Sequence, residues 1–243
     1  VQKMATFHFE IKSGRKGTAG DHANYIARKG FHGKREDLMY AEHGNLPAWA
    51  AGDPSTFWRA ADKYERKNGA VYREAIIALP SELTDEENVK LTRALVRQLT
   101  QGKPHQAAVH GPTSSLEGAA NPHVHLMMCD RVDDGVDRPP ERFFSRYNRS
   151  SPAEGGRRKV SGGRNRMELR NEVIATRKLV AETINHHLEL NGHSARVDHR
   201  TLREQGVDRR PERHLGPARI GSMSTEEKTQ YIKLRSQLRC SAR

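Results

Sequence analysis

The sequence lacks the marks of a membrane or secreted protein. No apolar run approaches the roughly 20 residues that a bilayer-spanning helix needs, which excludes a membrane span and membrane insertion. No charged-then-apolar stretch with a cleavage site opens the chain, so secretion is not expected. Two cysteines, Cys129 and Cys240, are too few for a disulfide framework or a four-cysteine zinc site. A reduced, cytoplasmic setting is the expectation. Hydrophobic residues make up only 35% of the 243 residues, where an ordinary globular chain is nearer half apolar. The core should therefore be modest, in one domain with an appendage or in two small domains. The composition also excludes a collagen, a coiled coil and a fully disordered chain.

Positive charge, by contrast, is abundant. Lys and Arg number 42 against 30 acidic residues, a net charge of +12. Residues 51–150 are neutral, with 14 basic and 14 acidic groups, whereas residues 151–243 carry 20 basic groups against 11 acidic ones. A neutral middle with basic flanks describes a core domain dressed with cationic surface. The usual partner of such a surface is a polyanion, most often nucleic acid; the alternative is a merely solvated surface.

Local patterns give an alternation of strands and helices. Residues 5–12 alternate, with Phe7, Phe9 and Ile11 on one face, as a half-buried strand does. A glycine-rich basic loop follows at 13–20, then a short helix capped by Asp21 and ended by Gly30. Residues 31–52 show little periodicity and read as loop. Asp53, with Pro54 at the first helical position, opens a helix to Lys67. Residues 71–79 form a strand, and Thr84 to Glu87 form a capping box for a helix reaching about Thr100. Two further strands, 105–110 and 123–129, form an antiparallel hairpin. Residues 155–163 read as a flexible basic linker. A long helix spans 166–190, with apolar positions at Val173, Ile174, Leu179, Val180, Ile184 and Leu188, and a last helix spans 224–238. The order implies an α+β fold.

The densest chemistry lies in Asn121-Pro-His-Val-His-Leu126. Side chains alternate along a strand, so His123 and His125 share a face and Val124 points into packing. If the two strands pair as a hairpin, His110 joins them, and three imidazoles on one face make a metal site with open positions. Among 13 histidines some close pairs arise by chance; the third, at hairpin spacing, is what gives this group weight. Imidazoles alone favour zinc-like metals, but a phosphate substrate and water would supply oxygen ligands, making Mn²⁺ or Mg²⁺ suitable. Glu74 is placed either to orient a ligand histidine or to accept a proton, unless it forms an ordinary strand salt bridge. Tyr25, one of six tyrosines, has no special claim by composition.

The ordered set Ala23-Asn-Tyr-Ile26, Arg73-Glu74 through Ala78-Leu-Pro80, Glu82-Leu-Thr84, Asn121-Pro-His-Val-His-Leu126, Arg146-Tyr-Asn148 with Gly155-Gly156, and Asp198-His-Arg-Thr-Leu202 running to His214-Leu-Gly-Pro217 resembles the MobA/MobL family of conjugative relaxases, as carried by IncQ-type mobilizable plasmids. The resemblance covers about residues 4–217. It implies an HUH-endonuclease-like antiparallel sheet flanked by helices, followed by a basic helical C-terminal extension. It implies a catalytic core at 4–155, a basic linker, long helix and DNA-contacting tail at 156–217 that complete the relaxase domain, and a terminal helix at 218–243. The implied activity is divalent-metal-dependent nicking and religation of one strand at an origin of transfer. Tyr25 would be the nucleophile, linked to the 5′ end as a phosphotyrosine, and His110, His123 and His125 the metal ligands. Glu74 would be the site carboxylate; Ile76 stands where a second acid can occur, so a two-carboxylate role is not expected.

On this reading Arg15, Lys16, Arg157, Arg158 and Lys159 contact the DNA backbone, and Arg146, Tyr147 and Asn148 stack on or hydrogen-bond to exposed bases. Tyr147 has the alternative of a buried ring at a loop base. Expected partners are single-stranded or locally melted origin DNA, mobilisation accessory proteins and a type IV secretion coupling protein. The rival functions are an HUH replication initiator or transposase, and a non-enzymatic basic DNA-binding accessory protein.

Overall fold

The computed structural model describes residues 5–113, 116, 118, 120–208, 215 and 217–240. Strands β1 (Phe9–Gly14), β2 (Leu38–Gly44), β3 (Tyr72–Ala78), β4 (His105–His110) and β5 (His123–Met128) form one sheet in the order β1-β3-β5-β4-β2. All neighbours in it are antiparallel. The helices are α1 (Ala19–Ile26), α2 (Pro54–Tyr64), α3 (Asp85–Thr100), α4 (Pro140–Phe143), α5 (Arg166–Leu190), α6 (Pro217–Gly221) and α7 (Thr225–Cys240). Among the described residues no helix is long and apolar enough to cross a membrane.

The alternation of the strands divides the molecule into two cores. Phe9, Ala75, Ile77, Val109, Val124 and Leu126 face one side, where α3 covers them with Leu91 and Leu95 and α5 covers them with Val180, Ile184 and Leu188. Ala108 and Met127 face the other side, where Phe57 and Trp58 of α2 and Phe143 and Phe144 pack against them. The intervening residues of β3, β4 and β5 on this second side carry the functional groups, and α1 lies over them.

Most helix ends follow from their caps. The Asp53 carboxylate accepts the N–H groups of Ser55 and Thr56. Thr84 with Glu87, and Asn165 with Glu168, form reciprocal capping boxes that open α3 and α5.

Several expectations need correction. Residues 31–52 contain β2, which pairs along the outer edge of β4. An edge strand buries little on either face, and a register shift between Leu38 and Tyr40 breaks its alternation. Helix α1 starts after Thr18, two residues before Asp21, and stops at Ile26 because Arg28 turns left-handed at φ 52°. Helix α2 stops at Tyr64, short of Lys67, where Glu65 swings inward to a buried ion pair with Arg131 and Lys159. On α5, Ile174 and Leu179 are exposed. Residues 155–163 are no flexible linker: Gly155 and Gly156 pack so closely on Asn148 and Ser145 that neither has room for a Cβ. The backbone there is stitched to the end of β5 through Val132 to Arg158 and Val160 to Asp130. Met4, and His214 and Gly216 of the 214–217 segment, lie outside the described residues.

Candidate active site

The register of three strands assembles the site. On β4 and β5, His110 faces His123 and Ala108 faces His125; on β3, Ile76 faces His125 and Glu74 lies two residues along on the same face. One donor atom from each of His110, His123 and His125 lies within 4.8 Å of the others, a group that could hold a metal ion. Their ring centroids are 4.9 to 5.6 Å apart.

The surrounding hydrogen bonds fix each ring. His125 donates Nδ1–H to Glu74 Oε1 at 2.7 Å, leaving Nε2 free to ligate. His123 donates Nδ1–H to the Asn121 carbonyl at 2.9 Å, with the same result. His110 has both nitrogens engaged, Nε2 with the Ile26 carbonyl at 2.7 Å and Nδ1 with Arg28 at 3.1 Å. It must release one of them to bind a cation. Two imidazoles preset by partners behind them, and a third one contact away, are a donor set that fits a divalent ion.

Burial is the main force on the charges here. It pushes His110 down to about 4, with the neighbouring Arg28 and histidines adding to it and the Ile26 carbonyl opposing. It also lowers His123. Neutral imidazoles are the form that ligates. For Glu74, burial works against the charge, but the hydrogen bonds from His125 and His22 outweigh it and hold the carboxyl at about 2.

These shifts make an acid-labile site. An unfolded histidine takes up a proton near 6.5, whereas folded His110 stays neutral until about 4. The unfolded state therefore gains protons first as pH falls, and stability drops between those values by about 3 kcal/mol. Glu74 contributes stability above the free carboxyl value of 4.5 that is lost as pH falls toward about 2. Denaturant melts in chelator from pH 7 to 4 should show the first loss, and His110→Gln should flatten it. A wild-type profile flat across that window would refute the assignment.

Helix α1 carries Tyr25 over this face. The Tyr25 ring meets His125 edge-on with centroids 6.4 Å apart. His22, one helical turn earlier, stacks between Tyr25 and Tyr72 and places Nε2 2.9 Å from Glu74 Oε1. The guanidinium groups of Arg28 and Arg35 lie 4.8 and 5.4 Å from the Tyr25 ring. Arg28 is buried and doubly bound to Asp37 at 2.7 and 2.8 Å, a pairing that lowers the Asp37 carboxyl. His22, Arg28 and Asp37 were not anticipated from sequence. For the first two a signal exists, since both lie three residues from Tyr25 and share its side of the helix or of its end. Asp37 lies in an irregular segment and offers none.

The basic residues divide by environment. Arg15 and Lys16 are exposed in the turn before α1, and Lys16 donates to the Glu65 carbonyl. Arg66, Arg146, Tyr147, Arg149 and Arg158 line a cleft of about 730 Å³. Asn148 accepts the N–H groups of Ser150 and Ser151 and shapes the loop beside it. Arg157 and Lys159 also border the cleft but are committed inward. Arg157 is buried and paired with Asp133, and Lys159 binds Glu65 and the Ala70 carbonyl. Both therefore line the cleft while tied to the protein's own carboxylates, where Arg146, Arg149 and Arg158 are exposed. The cleft adjoins Arg131, beyond the end of β5, eight residues from His123. The strand part of that path, His123 to Met128, alone runs roughly 17 Å at about 3.3 Å per residue.

A five-stranded antiparallel sheet with three histidines on its central strands and a tyrosine-bearing helix above them is an HUH-like α+β fold. The sequence matches the MobA/MobL family over residues 12–224, and the chain belongs to that family. It is 42% identical over 209 residues to the 43 kDa relaxation protein of Salmonella typhimurium, covering 85% of this chain and 56% of that protein. It is 37% identical over 220 residues to Mobilization protein A of Escherichia coli, covering 88% of this chain and 30% of that one. The chain thus spans about half, and about a third, of the length of these relatives. Among solved structures, one from work on the molecular basis of vancomycin resistance transfer in Staphylococcus aureus superposes with a TM-score of 0.58. It is 26% identical, and the match covers 81% of this chain and 100% of that one.

Proposed function

We propose that this chain is the relaxase portion of a plasmid mobilisation protein, which cuts and reseals one DNA strand at an origin of transfer. The observation that carries the reading is the Tyr25 ring held edge-on to His125 within the three-histidine group. In the cutting step the Tyr25 hydroxyl gives up its proton as its oxygen bonds to phosphorus, the bond to the 3′ oxygen breaks, and that oxygen leaves with the electron pair and takes up a proton. The product is a 5′-phosphotyrosine and a free 3′ hydroxyl. One phosphodiester replaces another, so the step reverses without ATP.

His110, His123 and His125 would hold a divalent ion, Mn²⁺ or Mg²⁺. Such an ion, when bound, supplies positive charge against the anionic phosphate. Arg28 and Arg35 place further positive charge beside the Tyr25 ring, where negative charge develops during attack. Glu74, ionised and shared by two imidazoles, acts as a positioning residue that fixes His125 and, through His22, the pitch of α1. The basic cleft takes the strand backbone away from the cut, through Arg146, Arg149 and Arg158 with Tyr147 as a stacking ring.

Incubation with labelled single-stranded origin DNA and Mn²⁺ should give a protein–DNA complex that survives denaturing electrophoresis. Salt-dependent binding with no such complex under any divalent ion would instead identify a non-enzymatic DNA-binding accessory protein.

A further inference from the structure

Beside Tyr25 stands a residue to which the reaction so far gives no task. Phe31 is 92% exposed, far more than the other exposed large apolar residues. It sits on a single 3₁₀ turn, Gly30–Lys34, entered through left-handed Gly30 at φ 58°. That turn is tied down on both sides: His32 N–H bonds to the Lys29 carbonyl and Arg35 N–H to the His32 carbonyl. Isolated exposed apolar side chains are common and by themselves mean little. The ring's neighbours distinguish this one. Phe31 meets His32 edge-on at 5.8 Å, and His32 meets Tyr25 edge-on at 5.3 Å. His32 is further held by the Asp21 carboxylate of α1 at 3.6 Å. Phe31 is thus the outer end of an aromatic series, Phe31–His32–Tyr25–His22–Tyr72, that runs through the proposed nucleophile. Within four residues of it along the chain, Lys29, Lys34 and Arg35 are exposed, with Glu36 the one acid between residues 29 and 36.

An open aromatic face ringed by cations is how proteins hold single-stranded nucleic acid. The cations track the phosphates and the ring takes a base, with little regard for sequence. We propose that Phe31 is a stacking platform for a nucleobase of single-stranded DNA flanking the phosphate that Tyr25 faces. This rests on the relaxase reading. It adds a site beside the nucleophile that shares no residue with the lining of the basic cleft. The platform holds the strand next to the cut while the cleft holds it at a distance.

The test pairs the ring with the base. Affinities of the whole chain for oligothymidylate and for an abasic strand of equal length and charge are measured for the wild type, Phe31→Ala and Phe31→Trp. Loss of one stacked base weakens binding about tenfold. Phe31→Ala is therefore expected to bind oligothymidylate about tenfold less tightly than the wild type and the abasic strand equally well. Its salt slope should not change, because no charge is removed. Phe31→Trp should keep wild-type affinity and show indole emission, above that of Trp49 and Trp58, quenched by oligothymidylate and not by the abasic strand. Because the side chain lies in solvent, these variants leave the core untouched. Equal binding of oligothymidylate by wild type and Phe31→Ala overturns the platform, as does an equal loss on both strands. Either result leaves the relaxase reading standing. A wild type that binds neither strand overturns the platform too, while the relaxase reading stands or falls on the origin DNA assay.

Discussion

Tyr25→Phe is expected to abolish the covalent protein–DNA complex while leaving DNA binding nearly unchanged. The substitution removes one oxygen and keeps the ring, so the edge contact with His125, the stack on His22 and the contact with the Arg28 guanidinium all persist. Loss of a nucleophile that no water can replace in the same product should reduce adduct formation by at least about a thousandfold, to below detection on a gel. The nearest rival is Tyr72, which stacks on the far side of His22 at 5.4 Å. It is a poor nucleophile where it stands, because it is buried and burial, together with the Glu74 charge, pushes its phenol up. Tyr40 is turned to Glu42 and Arg93 at the β2 edge, and Tyr147 lies in the distant cleft. An adduct that survives in Tyr25→Phe and disappears in Tyr72→Phe would move the chemistry one ring inward. An adduct that survives in both would refute the site altogether.

What the sequence disclosed follows from how locally each feature is encoded. The β4–β5 hairpin and its three histidines were legible because alternation assigns faces residue by residue and a short separation dictates an antiparallel pair. The α3 and α5 starts were legible because a capping box is written within four residues. Tyr25 was legible only through the resemblance, since nothing in its own neighbourhood says that α1 docks over β5. That docking depends on Ala19, Ala23 and Ile26 meeting the Phe57 and Trp58 layer, a contact between residues 31 to 39 apart along the chain. β2 was hidden because an edge strand, half-exposed on both faces, has no hydrophobic period to read. The inward turn of Arg157 and Lys159 was hidden for a different reason. A run of basic residues between glycines reads as a solvated linker unless one knows that Glu65 and Asp133 wait beneath it. Charge counts locate cations along a chain; only the fold decides which of them remain free for a polyanion.

The three histidines are not equivalent tests of the metal site. His110 is fully buried and bonded to both Ile26 and Arg28, so replacing it strands a carbonyl and half of a buried Arg28–Asp37 arrangement. A loss of activity there would mix misfolding with lost ligation. His123 is only partly buried, and its one hydrogen bond is local, to the Asn121 carbonyl two residues away. His123→Ala should therefore fold as the wild type does and lose a ligand outright. Its affinity for Mn²⁺, measured by calorimetry on the whole chain, should fall at least about tenfold, as removing a ligand costs no less than removing a group behind one. Adduct formation at limiting Mn²⁺ should fall in parallel and recover in part as Mn²⁺ is raised, because His110 and His125 remain. Wild-type Mn²⁺ affinity and undiminished cleavage in His123→Ala, with an unaltered melting curve, would detach the histidine group from the reaction. Tyr25 would then act beside Arg28 and Arg35 alone.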